Sequence, residues 1–220
     1  MSNIVGVEGV EGTRYGTTYR AFGRAESDVA VDVVVGPYRV LEVLGEGASS
    51  RVYVAEHLED GRRVALKLML PCHGDSLTKI MRFQLECELL ERLSHPNVVR
   101  LIERGHCEER YAAIELLQGE TLRERLVRES VLSLRDSLQI AIQLADALDA
   151  VHAAGVIHCD VKPDNLMLTP GGLIGSDSVS VKLYDFDAAR WIDKGTGRST
   201  AILPHGAILG TPGYMAPEQE

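Results

Sequence analysis

The stretch His158-Cys-Asp-Val-Lys-Pro-Asp-Asn165, followed by Leu183-Tyr-Asp-Phe-Asp187, decides the fold of this 220-residue chain. Asp160 and Asn165 stand five positions apart in the first segment, and Asp185 comes twenty positions after Asn165. Carboxylate and amide oxygens are the ligands that a hard cation such as magnesium prefers. The spacing therefore indicates a site that holds a cation beside a reactive carboxylate, although Asp and Asn also occur in ordinary polar turns.

The residues before this stretch predict a helix, and the residues after it predict a turn, a strand and a long loop. Upstream, Ser133 can cap a helix through Asp136, three residues on, and the helix is expected to end at Gly155. Its apolar positions are Leu138, Ile142, Ala145 and Leu148. Downstream, a Gly/Ser-rich turn at 170–180 precedes a strand at 181–187, and residues 188–213 are expected to form a long loop.

The first half of the chain predicts an antiparallel β-meander. Three runs of β-branched and apolar residues are separated by Gly-rich or Asp-Gly turns, of which Glu59-Asp60-Gly61 is the clearest. The runs begin at Tyr38, Arg51 and Arg62. Two further strands are expected near 98–104 and 111–117.

One helix, at about 76–93, interrupts these strands. Its apolar face consists of Phe83, Cys87, Leu90 and Leu93. Glu86 falls within this face, where a carboxylate needs a partner. Lys67 on the neighbouring strand can supply it, so we expect an ion pair; alone, such a lysine would extend from the strand into solvent.

Gly45 and Gly47 lie in the loop after the first long strand, in Leu44-Gly-Glu-Gly-Ala-Ser-Ser50. Glycines let a backbone approach phosphates closely and present its N–H groups to them. The alternative is an ordinary glycine-bearing hairpin. The position of the loop between two strands, just ahead of Val64-Ala-Leu-Lys67, favours phosphate binding.

These motifs occur in an order that makes residues 38–220 resemble a eukaryotic-type (Hanks-type) Ser/Thr protein kinase. Gly210-Thr-Pro-Gly-Tyr-Met-Ala-Pro-Glu-Gln219 is similar to the bacterial branch of that family. The resemblance implies an α+β, two-lobed protein-kinase-like fold, with an antiparallel β N-lobe that carries one main helix and a mostly helical C-lobe.

The resemblance also implies the domain organisation. A flexible leader is expected at 1–36, the N-lobe at 37–117, and a partial C-lobe with the catalytic and activation loops at 118–220. The chain ends at Glu220, shortly after the Ala-Pro-Glu motif. The C-lobe is therefore expected to be incomplete, and the chain to be marginally stable or to need a partner that completes or covers it.

The implied activity is transfer of the ATP γ-phosphate, with Mg²⁺, to Ser or Thr hydroxyls of a protein substrate. By the resemblance, Asp160 is the catalytic base and Lys162 contacts the transferring phosphate. Lys67 and Glu86 form the pair that orients the nucleotide phosphates. The alternative is a noncatalytic pseudokinase, a nucleotide-binding or scaffold module.

The resemblance assigns the remaining site residues as well. Asn165 and Asp185 hold the metal. Thr211, in the substrate loop, contacts the catalytic base Asp160. The simpler interpretation of Thr211 is a turn residue before Pro212. The residues that contact ATP are Gly45, Gly47, Ser50 (at the place of the usual third glycine), Val52, Ala65 and Met167 (around the adenine), Lys67, Ile114 (the gatekeeper), and Glu115 and Leu117 (through their backbones).

Asp187 departs from the family pattern, which has glycine after Asp185-Phe186. The substitution adds a negative charge near the metal ligands and removes a permissive backbone position. It can supply a further metal ligand or repel the nucleotide, and the sequence leaves both open. The resulting Asp-x-Asp is also similar to kinase-like small-molecule phosphotransferases, but Lys162 and the 210–219 motif argue against that family.

Composition excludes several other classes of protein. A net charge of −9 and a pI near 5.3 argue against a sequence-independent nucleic-acid binder. The four cysteines form no C-x-x-C pair, so reduced thiols in a cytoplasmic protein are expected: Cys72, Cys87, Cys107 and Cys159. We recognise no secretory signal and no membrane segment in this sequence.

Cys159 stands where the family has an arginine that grips a phosphorylated activation loop. We therefore predict that activity does not depend on loop phosphorylation through this contact. Replacing Thr196, Ser199 and Thr200 together by alanine should leave the rate of phosphate transfer unchanged in a radiolabelled-ATP assay. A large loss of activity would contradict this.

Overall fold

The computed structural model describes residues 33–47, 50–70, 76–107, 109–170, 179–192, 199–200 and 210–219. The expected leader lies outside the described residues except at 33–36. Ala48 and Ser49 of the glycine loop, and Thr196 of the activation loop, also lie outside them.

A six-stranded antiparallel sheet forms the first half of the chain. Its strands are Val34–Val35 (β1), Tyr38–Glu46 (β2), Ser50–His57 (β3), Arg63–Met69 (β4), Leu101–His106 (β5) and Arg110–Glu115 (β6). They are hydrogen-bonded in the order β1-β2-β3-β4-β6-β5, so the predicted meander is present. Gly61 closes the turn between β3 and β4 with φ +68°, a left-handed conformation that glycine adopts without steric cost.

The first of the two later strands begins three residues after its predicted start. Val98 forms a parallel bridge with Leu183, and the Val99 N–H donates to Leu183 O at 2.9 Å. Their backbones are thus paired with the second half of the chain. Only from Leu101 does the segment join the first sheet as β5.

The helix Ser76–Arg92 (α1) connects the two halves. Phe83, Cys87 and Leu90 on its predicted apolar face are buried. Leu90 also belongs to the same apolar cluster as Val151 and Phe186 of the second half. The packing of α1 therefore depends on both halves.

In the second half, the described residues form two α-helices and six short strands. Its elements are Glu120–Thr121 (β7), Leu122–Glu129 (α2), Leu134–Ala153 (α3), Val156–Ile157 (β8), Leu166–Pro170 (β9), Val179–Leu183 (β10), Arg190–Ile192 (β11) and Ser199–Thr200 (β12). The strands form two small sheets, ordered β10-β9-β7 and β12-β11-β8. The expected α+β class is confirmed, whereas the exact lobe boundaries stay a prediction.

Three features of this half differ from the sequence prediction. No helix was predicted at 122–129, although Thr121 and Glu124 form a capping box there. The strand predicted to reach Asp187 ends at Leu183. The expected long loop contains β11, which pairs with β8 and β12.

The helix α3 begins as predicted. Ser133 Oγ accepts from the Asp136 N–H at 3.1 Å and donates to Asp136 Oδ2 at 2.7 Å. Of its predicted apolar positions, Leu138 is 53% exposed and Ile142 is 68% exposed, as expected for a helix whose apolar face lacks its C-lobe cover, whereas Leu148 packs against the main core. The residues that α3 buries are Ile140, Ala147 and Val151.

The helix α3 is apolar on two faces. Periodicity alone cannot tell which of the two faces meets the core. The face with Leu134, Leu138 and Ile142 is open among the described residues. This exposed surface fits the expectation of marginal stability, which stays a prediction. Within the described part of the chain, none of the helices is both long and apolar enough to cross a membrane.

Ile140 and Ile142 offer a matched test of the face assignment. Ile140 is 8% exposed and packs in the main core, whereas Ile142 is 68% exposed. We expect Ile140→Ala to lower the free energy of unfolding by about 2–5 kcal/mol. Ile142→Ala should change it by less than about 0.5 kcal/mol. Urea denaturation of both variants measures the difference, and equal losses would show that α3 is rotated.

Candidate active site

The hairpin of β9 and β10 brings the two predicted metal ligands to one place. Leu166 pairs with Leu183, and the Tyr184 N–H donates to Asn165 O at 3.1 Å. Asn165, just before β9, and Asp185, just after β10, therefore leave the same end of the hairpin. Asp185 has φ +64°, a left-handed conformation that is uncommon outside glycine and costs conformational energy.

Asp160 is the centre of a hydrogen-bond network. Lys162 Nζ donates to Asp160 Oδ2 at 2.7 Å, and Thr211 Oγ1 donates to Oδ1 at 2.7 Å. Lys162 Nζ also lies 2.7 Å from Thr211 Oγ1. Asn165 Nδ2 donates to Asp160 O at 2.8 Å and to Oδ2 at 3.1 Å. Four predicted site residues are thus joined in one network.

The same network determines the charge of Asp160. Burial alone would raise its pKa, but the hydrogen bonds from Lys162, Thr211 and Asn165 outweigh burial and hold the pKa below its ordinary value. Asp160 is therefore an anion at neutral pH. A carboxylate in this state can orient a hydroxyl group and accept its proton.

The predicted ion pair between Lys67 and Glu86 is present. Lys67 Nζ lies 2.8 Å from Glu86 Oε1 and 2.7 Å from Oε2, and the two side chains are only 9% and 8% exposed. Lys67 comes from β4 and Glu86 from α1. Their contact therefore ties the helix to the sheet.

Asp187 is a second partner of Lys67, which the sequence did not predict. Its Oδ1 lies 2.6 Å from Lys67 Nζ, and its side chain is 42% exposed. One carboxylate oxygen from each of Glu86, Asp185 and Asp187 lies within 4.8 Å of the other two. Three carboxyl groups therefore surround one ammonium group.

The crowding separates the pKa values of these carboxyl groups. Burial raises the pKa of Glu86, and Asp187 raises it further against the opposing effect of Lys67. Burial and the charge of Asp187 likewise raise the pKa of Asp185. Burial opposes the ionisation of Asp187, but Lys67 and Glu86 lower its pKa. The pKa values of Glu86 and Asp187 are therefore shifted in opposite directions.

Asn165 and Asp185 fit a hard cation. The amide nitrogen of Asn165 is engaged by Asp160, which leaves its Oδ1 as an acceptor. No hydrogen bond from another described side chain reaches the Asp185 carboxylate, which accepts the backbone N–H of Asp187. An amide oxygen and a carboxylate are the donor types that Mg²⁺ and similar cations bind.

The glycine loop is described at Gly45, Gly47 and Ser50. Gly45 pairs with Val52 across β2 and β3, and the Gly47 N–H donates to Ser50 O at 2.8 Å. A Cβ atom at Gly45 would meet no described atom within 4 Å. The packing of the described residues therefore does not require glycine there.

The remaining predicted ATP contacts lie around β4 and β6. Ala65 pairs with Ile114, and Lys67 pairs with Val52 on the other side of β4. Met167 lies in β9, opposite Lys182.

One backbone N–H group at the end of β6 already has a hydrogen-bond partner. The Glu115 N–H donates to Arg100 O at 3.0 Å, and the Glu115 side chain accepts from Lys182 Nζ at 2.6 Å. An adenine at this edge would therefore bind other backbone groups of residues 115–117. Leu117 packs against the main core from a partly buried position.

A cluster of three residues beside Asp160 was missed by the sequence. Arg123 of α2 makes an ion pair with Asp164 at 3.2 Å and donates to Tyr214 Oη at 2.6 Å. Its guanidinium carbon lies 5.8 Å from the Tyr214 ring centroid. The Thr121 capping box is the sequence signal that could have placed Arg123 on a helix.

Cys159 joins the catalytic loop to the 210–219 segment through its backbone. Gln219 Nε2 donates to Cys159 O at 3.0 Å, and a Cβ atom at Gly210 would approach the same oxygen to 3.0 Å. Cys159 has φ +64°. These contacts hold Thr211 over Asp160.

His158 and Phe186 connect the segment around Asp160 to the segment after β10. Their ring centroids lie 4.7 Å apart, and both side chains are buried. His158 Nε2 lies 3.2 Å from Tyr184 O. The position of Asp185 is therefore supported by contacts on both sides.

Comparison with known proteins gives an independent result. Residues 38–219 match the family model of the protein kinase domain. Serine/threonine-protein kinase pkn3 of Myxococcus xanthus is 35% identical over 184 residues, which cover 83% of this chain and 33% of the relative. Serine/threonine-protein kinase PknA of Mycobacterium tuberculosis is 34% identical over 190 residues, which cover 84% of this chain and 41% of the relative. The chain thus spans about a third to two fifths of the length of these relatives.

The buried ion pair leads to a prediction about stability. Lys67→Met would leave Glu86 and Asp187 without their cation, and breaking a buried pair costs about 3–5 kcal/mol. We expect a loss near the lower limit, because Asp187 is partly exposed. The double variant Lys67→Met/Glu86→Leu should recover much of it, since an apolar pair can replace a buried ion pair.

Urea denaturation measures these free energies of unfolding. Lys79→Met is the matched control, because Lys79 lies near the same cleft and has no ion pair among the described residues. Lys79→Met should hardly change the free energy of unfolding. A Lys67→Met variant as stable as Lys79→Met would show that the pair contributes nothing to the fold.

Proposed function

Since the chain belongs to the protein kinase family, we propose that it transfers the γ-phosphoryl group of ATP to serine and threonine hydroxyls of proteins. The observation that supports this most directly is the network around Asp160, in which Lys162 and Thr211 both contact the carboxylate at 2.7 Å. This arrangement combines a proton acceptor, a cation for a phosphate and a hydroxyl from the substrate loop. Phosphoryl transfer depends mainly on such positioning and charge neutralisation.

In the proposed mechanism Asp160 orients the acceptor hydroxyl and takes its proton. Its carboxylate is ionised at neutral pH because the hydrogen bonds from Lys162, Thr211 and Asn165 lower its pKa despite burial. Lys162 contacts the phosphoryl group during transfer. Thr211 holds the carboxylate in place through Oδ1.

Members of this family use ATP and a divalent cation. We assign the cation to Asn165 and Asp185 and propose that it is Mg²⁺, which neutralises phosphate charge when bound. Lys67, positioned by Glu86, binds the nucleotide phosphates beneath Gly45 and Gly47. Support comes from the buried Lys67–Glu86 pair at 2.7 Å. It also comes from the absence of described atoms within 4 Å of a Cβ atom at Gly45.

The proposed acceptors are serine and threonine. Lys162 and Thr211 form the pattern of Ser/Thr kinases, and their side chains lie 2.7 Å apart. The relatives pkn3 and PknA carry the name serine/threonine-protein kinase. We propose the cytoplasm as the place of action, because ATP is available there and the free thiols of Cys87, Cys107 and Cys159 stay reduced.

A second function is a noncatalytic nucleotide-binding or scaffold module. The contact of Asp187 with Lys67 at 2.6 Å favours it, because this lysine is then not free for phosphates. The two functions differ in phosphate transfer, which only the kinase performs.

Asp160→Asn tests the proposed function. We expect this change to lower transfer of labelled phosphate from ATP to a Ser/Thr-containing protein by a factor of about 10²–10⁴, because the amide cannot accept the proton. The matched control is Asp149→Asn, which alters an exposed carboxylate on α3 and should leave the rate unchanged. Omitting Mg²⁺ should abolish transfer.

Equal rates for the wild type and Asp160→Asn would contradict the kinase proposal. If ATP nevertheless raised the melting temperature of both proteins, the noncatalytic module would be supported instead. Equal activity with Ca²⁺ in place of Mg²⁺ would contradict the choice of magnesium.

A further inference from the structure

Asp187 holds the lysine that the proposed function assigns to the nucleotide. Its Oδ1 lies 2.6 Å from Lys67 Nζ, which is as close as either oxygen of Glu86. Arg82 Nη2 donates to the backbone carbonyl of Asp187 at 3.0 Å, and the Asp187 N–H donates to the Asp185 carboxylate. The carboxylate of Asp187 is thus directed at Lys67 by contacts on both sides of its backbone.

Carboxyl groups already outnumber the ammonium group at Lys67. One ammonium group meets the carboxyl groups of Glu86 and Asp187, and Asp185 lies beside them with an oxygen within 4.8 Å of each. A nucleotide polyphosphate would bring more negative charge to the same place. The phosphates and these carboxylates carry charge of the same sign and would repel one another. The partly buried site screens this repulsion less than bulk water does.

The two partners of Lys67 differ in how easily they can leave. The Glu86 side chain is 8% exposed and sits on α1 between the sheet and the core. The Asp187 side chain is 42% exposed and lies outside any strand or helix. A phosphate can therefore replace Asp187 on Lys67 without disturbing the pair between Lys67 and Glu86.

We propose that Asp187 makes this site select cation-loaded nucleotide over free nucleotide. Without a divalent cation, the Asp187 carboxylate competes with the phosphates for Lys67 and repels them. A divalent cation offsets the surplus negative charge of Asp185 and Asp187 and so relieves the competition. The inference rests on the proposed function and adds to it a residue that determines specificity.

The selection is measured by a ratio of dissociation constants. For each protein, the Kd for ATP in EDTA is divided by the Kd for ATP with Mg²⁺, both from isothermal titration calorimetry. Coupling between two binding events commonly changes affinity by about 5- to 150-fold. We expect Asp187→Asn to lower this ratio by at least about fivefold, mainly through tighter binding in EDTA.

Two variants separate charge from shape. Asp187→Asn keeps the size of the side chain and removes its charge, whereas Asp187→Gly removes the side chain altogether. Both should lower the ratio. Asp149→Asn, which removes an exposed charge on α3, should leave the ratio unchanged. Thermal melts without ligand establish that each variant is folded.

The unmodified protein gives a second test that needs no variant. Thermal melts of the wild type report binding through the rise in melting temperature. We expect ATP with Mg²⁺ to raise the melting temperature, and the same concentration of ATP in EDTA to raise it much less. Melts with Mg²⁺ alone and with EDTA alone are the controls.

The outcomes are distinguishable. An unchanged ratio in Asp187→Asn and Asp187→Gly, or an equal rise in the melting temperature of the wild type by ATP with and without Mg²⁺, would overturn the inference and leave the proposed function intact. Weaker binding of free ATP by Asp187→Asn would also overturn it. Failure of the wild type to bind ATP under either condition would overturn the proposed function and this inference with it.

Discussion

The buried ammonium group of Lys67 is the constraint on which the rest of the structure depends. A buried charge must be paired, and the partners here come from separate parts of the chain: Glu86 from α1 and Asp187 from the segment after β10. Satisfying this one lysine therefore fixes α1 against the sheet and brings the second half of the chain to the same point. The apolar packing of α1 with both halves stabilises the same arrangement.

A second set of contacts builds the catalytic loop around Asp160. Its carboxylate and carbonyl bind Lys162, Thr211 and Asn165, which come from the same loop, the 210–219 segment and the turn before β9. The backbone of Cys159 holds the 210–219 segment in place through Gln219. Two strained backbone positions, at Cys159 and Asp185, flank this centre, and such strain persists only where surrounding contacts impose it.

The sequence predicted the parts of this molecule whose signals are local. The meander of β2–β4, the helix α1 with Glu86 in its apolar face, and the cap of α3 at Ser133 were all found where expected. Their signals are periodicity, turn residues and capping, each of which is contained in a short stretch of chain. The helix α2 was missed because its eight residues are mostly charged and lack an apolar face long enough to recognise.

The sequence by itself determined the motifs around Lys67, Asp160, Asn165 and Asp185, because these motifs are defined by residue type and spacing. Only the tertiary structure decided which face of α3 is buried, since that helix is apolar on two sides. It also decided that Asp187 contacts Lys67, a residue 120 positions earlier in the chain. The reason is physical: a local pattern records what a residue can do, whereas burial and charge pairing depend on neighbours that only the folded chain supplies.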